Sequence, residues 1–320
     1  MDVIRHRTID VNGLDMHVAE AGSGPLVVLL HGFPELWYSW RHQLRALAAA
    51  GYHAVAPDAR GHGRTRARTE HPDYGMGAHV ADTVGLLDAL GASTAALVGH
   101  DWGANTLWAA AELHPDRFPA LVALSVSRRP RTPRPPTEQL RAWSDGRFNW
   151  MLYFQEPGVA DAALAADVDR SLRRILYGLS GDAGELGTHL VGGLPADADL
   201  LAEIPDPPRP LPWLSDADLA YYTAEYRRTG FTGGLERYRA ADHDWFEHPT
   251  LGTRPLPQPT LFLGGELEPA VRFGNPAAMR EQIPHLADPI VLPGCGHWVQ
   301  QERPDEVNAA LIEFLDAHGT

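Results

Sequence analysis

The sequence predicts an α/β fold: a mostly parallel sheet flanked by helices, with an inserted helical segment in its second half. Three observations predict it. Short, wholly apolar runs at 26–30, 54–56 and 95–98 read as strands buried on both faces. They alternate with helical periodicity at 77–90 and 103–113, the rhythm of parallel strands joined by crossover helices. Strand character then stops after 124 and resumes only at 260.

Taken in order, residues 4–11 and 14–21 read as two strands around Asn12-Gly13, a two-residue hairpin signal. The apolar runs at 26–30 and 54–56 follow. The helical pattern of 77–90 stops at Gly91, a suitable C′ glycine. Residues 95–98 and 121–124 are further strands on either side of the 103–113 helix. The stretch 127–137 (SRRPRTPRPPT) is too rich in proline for a central strand, and Arg128, Arg129, Arg131 and Arg134 are expected to form a solvated hinge. From 138 to 238 the pattern is helical, interrupted by an extended loop at 205–212 (PDPPRPLP). Strands return at 260–263 and 289–292, and Pro304 suits the first turn of a last helix through 318. The expected organisation is a core of residues 1–129 and 250–320 with a helical cap, or lid, of residues 130–249. No internal repeat is visible.

Composition excludes several classes. The 320 residues are 44% hydrophobic, enough for a sizeable core. Asp+Glu number 41 against 27 Lys+Arg, a net charge of −14, which speaks against nucleic acid and anionic membranes as partners. All the basic residues are arginines, so chemistry built on a Schiff-base, pyridoxal-phosphate or phosphate-loop lysine is ruled out. One cysteine, Cys295, allows neither an internal disulfide nor a cysteine zinc cage, and reads as a small core residue. No apolar run reaches the ~18 residues of a membrane span, and the start at Met1 lacks a secretory apolar region. A cytoplasmic protein needing no cofactor and no metal is expected. The oligomeric state is open, with a homodimer as one expectation.

The sharpest motif is Gly99-His100-Asp101-Trp102-Gly103, placed after an apolar strand and before a helix. Glycines two residues either side of a central residue permit a tight turn that lifts that side chain above the sheet edge, the setting of a nucleophile. A strand-ending Asp that caps the helix is the plainer alternative. The central residue here is Asp101, not serine. A carboxylate attacks acyl carbon poorly but can displace a leaving group from sp³ carbon, giving an enzyme ester that water must cleave. Esterase, lipase and peptidase chemistry are therefore disfavoured.

Cleaving that ester needs a base and an oxyanion hole. His297, in GCGHW (294–298), lies on the loop after the last strand. His31-Gly32-Phe33-Pro34 directly follows the third strand. The backbone N–H groups of Phe33 and Trp102 are the expected oxyanion donors, each worth ~3 kcal/mol. Two carboxylates, Glu266 and Glu268, compete at the end of the 260–263 strand to orient His297. The loop at 125–129 offers no acid. The order nucleophile, acid, histidine is that of α/β hydrolases.

These residues resemble the soluble epoxide hydrolases of the α/β-hydrolase fold. The strings that carry the resemblance are HGFPE (31–35), DARGHG (58–63), GHDWG (99–103), YFQEPGVA (153–160), WLSDADLAYY (213–222), FTGGLERYR (231–239) and GHWVQQERP (296–304). They span nearly the whole chain. GHDWG alone is shared with haloalkane dehalogenases; the strings of the insertion are more specific. The resemblance implies a helical cap with two tyrosines that grip the epoxide oxygen. One matches Tyr238. At the other position this chain has Trp150, which can donate a hydrogen bond but not a proton, so Tyr238 must be the acid. The family's acid position matches Glu268, where Asp is usual. Tyr153 lies near Trp150 in sequence and is a further substrate-binding candidate. Glu35 is a candidate for the site's water network, or else a surface carboxylate at a helix start. Asp58, Arg60 and His62 are expected to hold the sheet edge without a catalytic role. Trp143, Phe148, Leu152, Phe154 and Trp245 are candidate lining residues of an apolar pocket.

The implied reaction opens an apolar or aromatic epoxide to a vicinal diol. Asp101 attacks, Tyr238 protonates, and His297, oriented by Glu268, activates the water that cleaves the ester. The partners are then an epoxide and water. A dehalogenase with Trp102 and Trp150 cradling halide is the alternative. Against it, fluoroacetate dehalogenases carry Arg where this chain has Trp102, and many haloalkane dehalogenases carry Asn where it has Phe33. A catalytically inert binding protein on the same fold is the third reading.

Overall fold

The structure is a computed structural model and describes residues 3–69, 73–272 and 275–318, so the outermost ends of the expected core fall outside it. Among the described residues there are nine strands: β1 (Arg5–Val11), β2 (Leu14–Ala21), β3 (Leu26–Leu30), β4 (His53–Pro57), β5 (Arg66–Ala67), β6 (Ala96–His100), β7 (Leu121–Leu124), β8 (Thr260–Gly265) and β9 (Ile290–Leu292). They form one sheet in the order β1-β2-β4-β3-β6-β7-β8-β9, with β5 on the side of β2. From β4 to β9 every neighbouring pair is parallel; β1 and β2 are antiparallel additions at one edge. The β1–β2 hairpin closes at Val11↔Leu14, with Asn12 and Gly13 at φ 50° and 78°, the left-handed pair such a turn requires.

Side-chain alternation divides the core between the two faces of the sheet. Val28 and Leu30 of β3 pack with Leu97, Leu107, Phe118 and Phe262. Val27 and Leu29 face the other way, against Leu44, Leu47, Val122, Leu311 and Leu315. Leu44 and Leu47 lie on the helix Arg41–Ala49, which the periodicity did not suggest. That helix starts at Trp40 without a side-chain cap and after an aromatic turn, so the usual start signal is missing. The two-residue strand β5 is likewise too short to carry a pattern.

β7 and β8 are parallel neighbours, yet about forty per cent of the chain separates them. That segment contains the helices Pro136–Ser144, Trp150–Tyr153, Val159–Ala166, Val168–Gly178, Leu186–Gly192, Asp216–Thr229, Thr232–Arg239 and Ala241–Glu247. Its longest helices start on designed caps: Asp167 accepts from Arg170 N–H at 3.1 Å, and Ser215 forms a reciprocal box with Asp218. Residues 205–212 carry neither helix nor strand. Apolar side chains of these helices, among them Phe154, Leu172, Tyr222, Phe231 and Tyr238, pack with Phe33, Leu36 and Trp298 from loops at the ends of β3 and β9. The helical segment therefore covers the carboxyl edge of the parallel strands, where α/β folds bind ligands.

The expected solvated hinge is corrected in part. Arg128 is buried and pairs with Glu112 at 2.7 Å, also donating to the Arg254 carbonyl. Arg131 stacks 4.0 Å over the Trp245 ring and donates to the carbonyls of Trp245 and His248. Only Arg129 and Arg134 are exposed. The entry to the helical segment is pinned because its arginines find acceptors and an aromatic face. At the other edge, Asp58 accepts from His17 Nδ1, Trp37 N–H and Arg64 N–H, while Arg60 forks onto Asp82. These are the edge-holding contacts expected of that turn.

Candidate active site

β6 ends at His100, and the helix Trp102–Leu113 begins immediately after Asp101. Asp101 sits at φ 52°, ψ −120°, a backbone state that costs a non-glycine residue about 1–3 kcal/mol. The flanking glycines are sterically required. A Cβ on Gly99 would lie 2.4 Å from the Gly103 carbonyl oxygen, and one on Gly103 would lie 2.0 Å from that of Leu30. The turn thus holds the Asp101 carboxylate above the sheet edge.

Two groups meet that carboxylate. The Phe33 N–H donates to Oδ1 at 2.9 Å, and His297 Nε2 is 3.6 Å from Oδ2. Gly32 allows the first approach, since a Cβ there would lie 2.2 Å from Oδ1. Trp102 heads its helix, so its N–H has no intrahelical acceptor and lies beside the nucleophile. On the other side of the imidazole, Nδ1 donates to Glu268 Oε2 at 2.6 Å. Of the two competing carboxylates, Glu268 is buried against His297; Glu266 is exposed and accepts from the Gly294 N–H.

The electrostatics of the group are coupled. Burial opposes ionisation of Asp101, but His297, His100 and the Phe33 N–H hold its pKa below the ordinary carboxyl value. Burial likewise disfavours a charged His297, but Glu268 and Asp101 hold its pKa well above that of free imidazole. With Asp101 ionised, His297 therefore carries a proton. Removing the Asp101 charge removes part of what keeps it there.

His297 is fixed through its backbone. Its N–H donates to the Leu179 carbonyl at 2.8 Å, and its own carbonyl accepts from Ser125 Oγ at 2.7 Å and His100 Nε2 at 2.8 Å. Glu302 accepts from the N–H groups of Gly181, Gly296 and Trp298 and gathers the loop around it. Glu35 is not a surface carboxylate: it is 0% exposed. Its oxygens accept from Gly32 N–H, His100 Nδ1 and the side-chain amides of Gln300 and Gln301. Burial would raise its pKa, but His100, His31 and the Gly32 N–H bring it below the ordinary value. His100 meets an acceptor at each nitrogen, so the pair holds a proton between Nδ1 and Oε2. One buried carboxylate thereby ties the Phe33 loop to the His297 loop.

Facing Asp101 from the helical segment is Tyr238, buried on the helix Thr232–Arg239. Its ring meets Trp102 edge-on at 4.9 Å, Phe154 at 5.0 Å and Phe33 at 5.8 Å. Burial and the Asp101 charge raise its pKa, while hydrogen bonds from the Trp102 and Trp150 indoles partly offset this. Trp150 thus lies near enough to Tyr238 to favour its ionised form. It opens a one-turn helix capped by Asn149. Tyr153, at the end of that turn, packs against Phe148 and Phe154 and senses Asp199. Among the expected lining residues two are corrected. Trp143 is 53% exposed, and Trp245 is held under Arg131 with its N–H on the Thr132 carbonyl, at the entry to the helical segment. Cys295 is fully buried, and burial raises its thiol pKa.

Residues that sequence reasoning gave no role are His100, Ser125, Gln300, Gln301, Glu302 and Arg237. His100 lies inside the elbow motif itself, which was its signal. The others act on backbone groups that only the fold brings near. The geometry brings together an ionised carboxylate, a carboxylate-backed imidazole, a helix-start N–H and a buried phenol among aromatic side chains. That set can alkylate a carboxylate and then hydrolyse the ester.

Comparison with known proteins agrees. The family described as alpha/beta hydrolase fold matches residues 25–304. Epoxide hydrolase A of Mycobacterium tuberculosis is 44% identical over 311 residues, 97% of this chain and 96% of that protein. Epoxide hydrolase 3 of Siraitia grosvenorii is 39% identical, covering 99% of each. The crystal structure of epoxide hydrolase A from Mycobacterium thermoresistibile superposes with a TM-score of 0.92 at 45% identity, over 98% of both chains. No helix among the described residues is long and apolar enough to cross a membrane.

Proposed function

Starting from the chain's membership of the α/β-hydrolase family, within which it is an epoxide hydrolase, we propose that it converts an apolar or aromatic epoxide to a vicinal diol through an Asp101 ester. We take residues 130–249 as the cap and residues 1–129 with 250–320 as the core. The single observation that supports the route best is the Asp101 carboxylate, 2.9 Å from the Phe33 N–H and 3.6 Å from His297 Nε2. The names of the relatives do not favour the dehalogenase reading.

Tyr238 holds the ring oxygen, with Trp150 and Trp102 directing their indole N–H groups at the same hydroxyl. Asp101 attacks a ring carbon from the opposite side. The C–O bond breaks, and the Tyr238 proton passes to the alkoxide. Esterification removes the charge on Asp101, so His297 loses one of its two anionic partners and its pKa falls. The imidazolium then releases its proton to solvent and becomes a neutral base at the moment one is needed. Oriented by Glu268, it takes a proton from water, and the hydroxide attacks the ester carbonyl. The N–H groups of Phe33 and Trp102 hold the oxyanion. Phe33, Phe154, Trp150 and Tyr153 supply an aromatic wall that suits an apolar substituent, and Glu35 keeps the two loops in register. We place the reaction in the cytoplasm.

The test is turnover of aryl and alkyl epoxides beside matched haloalkanes, with Asp101→Ala as the blank. Diol without halide, lost in the blank, is expected. A single turnover in ¹⁸O-water should leave the diol unlabelled; label in the first product would sink the covalent route.

A further inference from the structure

Arg237 precedes Tyr238 on the cap helix and is 4% exposed. Its guanidinium has no carboxylate within ion-pair distance among the described residues. One NH₂ group donates to the Trp102 carbonyl at 3.0 Å and to Thr106 Oγ1, and the other approaches His79 Nδ1 at 3.1 Å. Its plane lies 4.9 Å from the Trp102 ring centroid. Nε has no hydrogen-bond partner among the described residues, and Arg237 helps to line a cavity of about 30 Å³ with His31, Arg60, His79 and Asp82. Asp82 is already paired with Arg60; Asp244, which accepts from the Met76 N–H, acts on Arg237 without forming an ion pair with it. A buried cation without an ion-pair partner is costly. This one lies against Trp102, the residue that follows the nucleophile, and directly precedes Tyr238 in the chain.

We propose that Arg237 is the fixed countercation for a negative charge that moves between Asp101 and Tyr238 during the reaction. This rests on the functional reading above. In the free enzyme the charge is on Asp101. When the Asp101–carbon bond forms and the epoxide C–O bond breaks, the electron pair goes to the alkoxide. The alkoxide takes the Tyr238 proton, which leaves a phenolate. After His297 has deprotonated water and the ester has been cleaved, Asp101 is again a carboxylate, the imidazolium proton returns to Tyr238, and His297 regains from solvent the proton it released earlier. Either Asp101 or Tyr238 therefore carries a negative charge near Arg237 at every stage.

Other features agree with this. The Arg237 charge acts on Tyr238 in the direction that favours the phenolate, as the two indole N–H groups do, and both Asp101 and Tyr238 act back on Arg237. Burial pulls the Arg237 pKa down to about 10, which leaves it charged at neutral pH. Of the remaining titratable neighbours, burial lowers the pKa values of His31, His62 and His79, which favours their neutral forms, and Asp244 is a further carboxylate that acts on Arg237. The arrangement gives a site that has Trp150 at the position of the second tyrosine another means of easing proton release. Arg237 is in this sense a positioning residue that acts through Tyr238.

The test is stopped-flow alkylation of the full chain at neutral pH, comparing Arg237→Met, which keeps bulk without charge, and Arg237→Lys. Loss of the charge should slow alkylation about 10- to 100-fold. Ester hydrolysis should change far less. Lysine should restore most of the rate. If the methionine variant does not fold, the lysine variant decides alone: alkylation within about tenfold of wild type supports a charge role. A larger loss in the lysine variant assigns Arg237 to structure only and overturns the proposal. A methionine variant that keeps the wild-type rate, or that slows both half-reactions equally, overturns it as well. A wild-type protein that forms no alkyl-enzyme would instead overturn the functional reading on which it rests.

Discussion

Phe33 and Asp101 are 68 positions apart, yet the backbone N–H of one donates to the carboxylate of the other at 2.9 Å. The contact exists because Gly32 has no side chain; a Cβ there would lie 2.2 Å from the same oxygen. Gly32→Ala is therefore expected to push the carboxylate off its donor while the sheet stays intact. Turnover should fall by about 100-fold or more, the scale of losing an oxyanion donor. Steady-state assay beside a thermal melt checks this: a variant that keeps both its rate and its melting point would contradict the assigned donor.

His297→Gln should separate the two half-reactions. Asp101 still attacks, but nothing activates water, so about one equivalent of alkyl-enzyme should build up, with hydrolysis slowed ~10²–10⁴-fold. Intact-protein mass spectrometry after quenching reads the adduct. An unmodified protein after incubation with substrate would count against the ester.

The pH dependence in wild type follows from the same groups. The Asp101 pKa is held low, so alkylation persists as pH falls. The His297 pKa is held high by Glu268, so falling pH returns the imidazole to imidazolium and starves the second step of its base. The steady-state fraction of ester should rise as pH falls through the His297 pKa of the ester form. Quenched-flow sampling across a pH series measures it; a fraction that falls toward acid would place the base elsewhere.

Trp150→Phe removes one indole N–H from the Tyr238 hydroxyl but keeps the aromatic wall. One neutral hydrogen bond supports an alkylation rate loss of about 2- to 10-fold. Trp150→Tyr should restore the rate or exceed it, because a phenol both donates a hydrogen bond and can release a proton. Pre-steady-state fluorescence follows alkylation directly. Equal loss in both variants would assign Trp150 to packing.

Glu35→Gln tests the buried tie between the loops. The new amide would face the side-chain amides of Gln300 and Gln301, donor against donor. A loss of about 2–4 kcal/mol is expected, seen as a melting point lower by several degrees. Because the Glu35 pKa is depressed in the folded protein, its contribution is complete above the ordinary carboxyl range and fades as pH falls through the folded value. The gap between wild type and variant should therefore narrow in acid. A gap independent of pH would argue for steric damage instead.

The strands and the elbow were legible because their signals are local: apolar runs, a hairpin dipeptide, two glycines around one aspartate. Asp101, His297 and Phe33 could be picked out because each directly follows a strand of the sheet. Glu268 could be separated from Glu266 only by resemblance, since two carboxylates two residues apart on one loop differ in direction, not in type. Arg128 reads as more exposed than it is, and for Glu35 a surface position stays open beside a place in the site, because a charged residue reveals nothing in sequence about the acceptors or donors that enclose it. The role of Arg237 was invisible for the same reason. Its neighbours Trp102, Thr106 and His79 come from two other helices.

The chain leaves the sheet at β7 and re-enters it at the adjoining β8, with every cap helix between. The doorway is as narrow as the spacing of two bonded strands. Asp101, His297 and Glu268 stand on loops of the sheet, whereas the phenol of Tyr238 and most of the aromatic wall stand on one contiguous stretch. Directed evolution of selectivity can therefore be confined to that stretch, provided that Tyr238 and its surroundings are kept, because a graft that lost them would leave the Asp101–His297 engine without its acid.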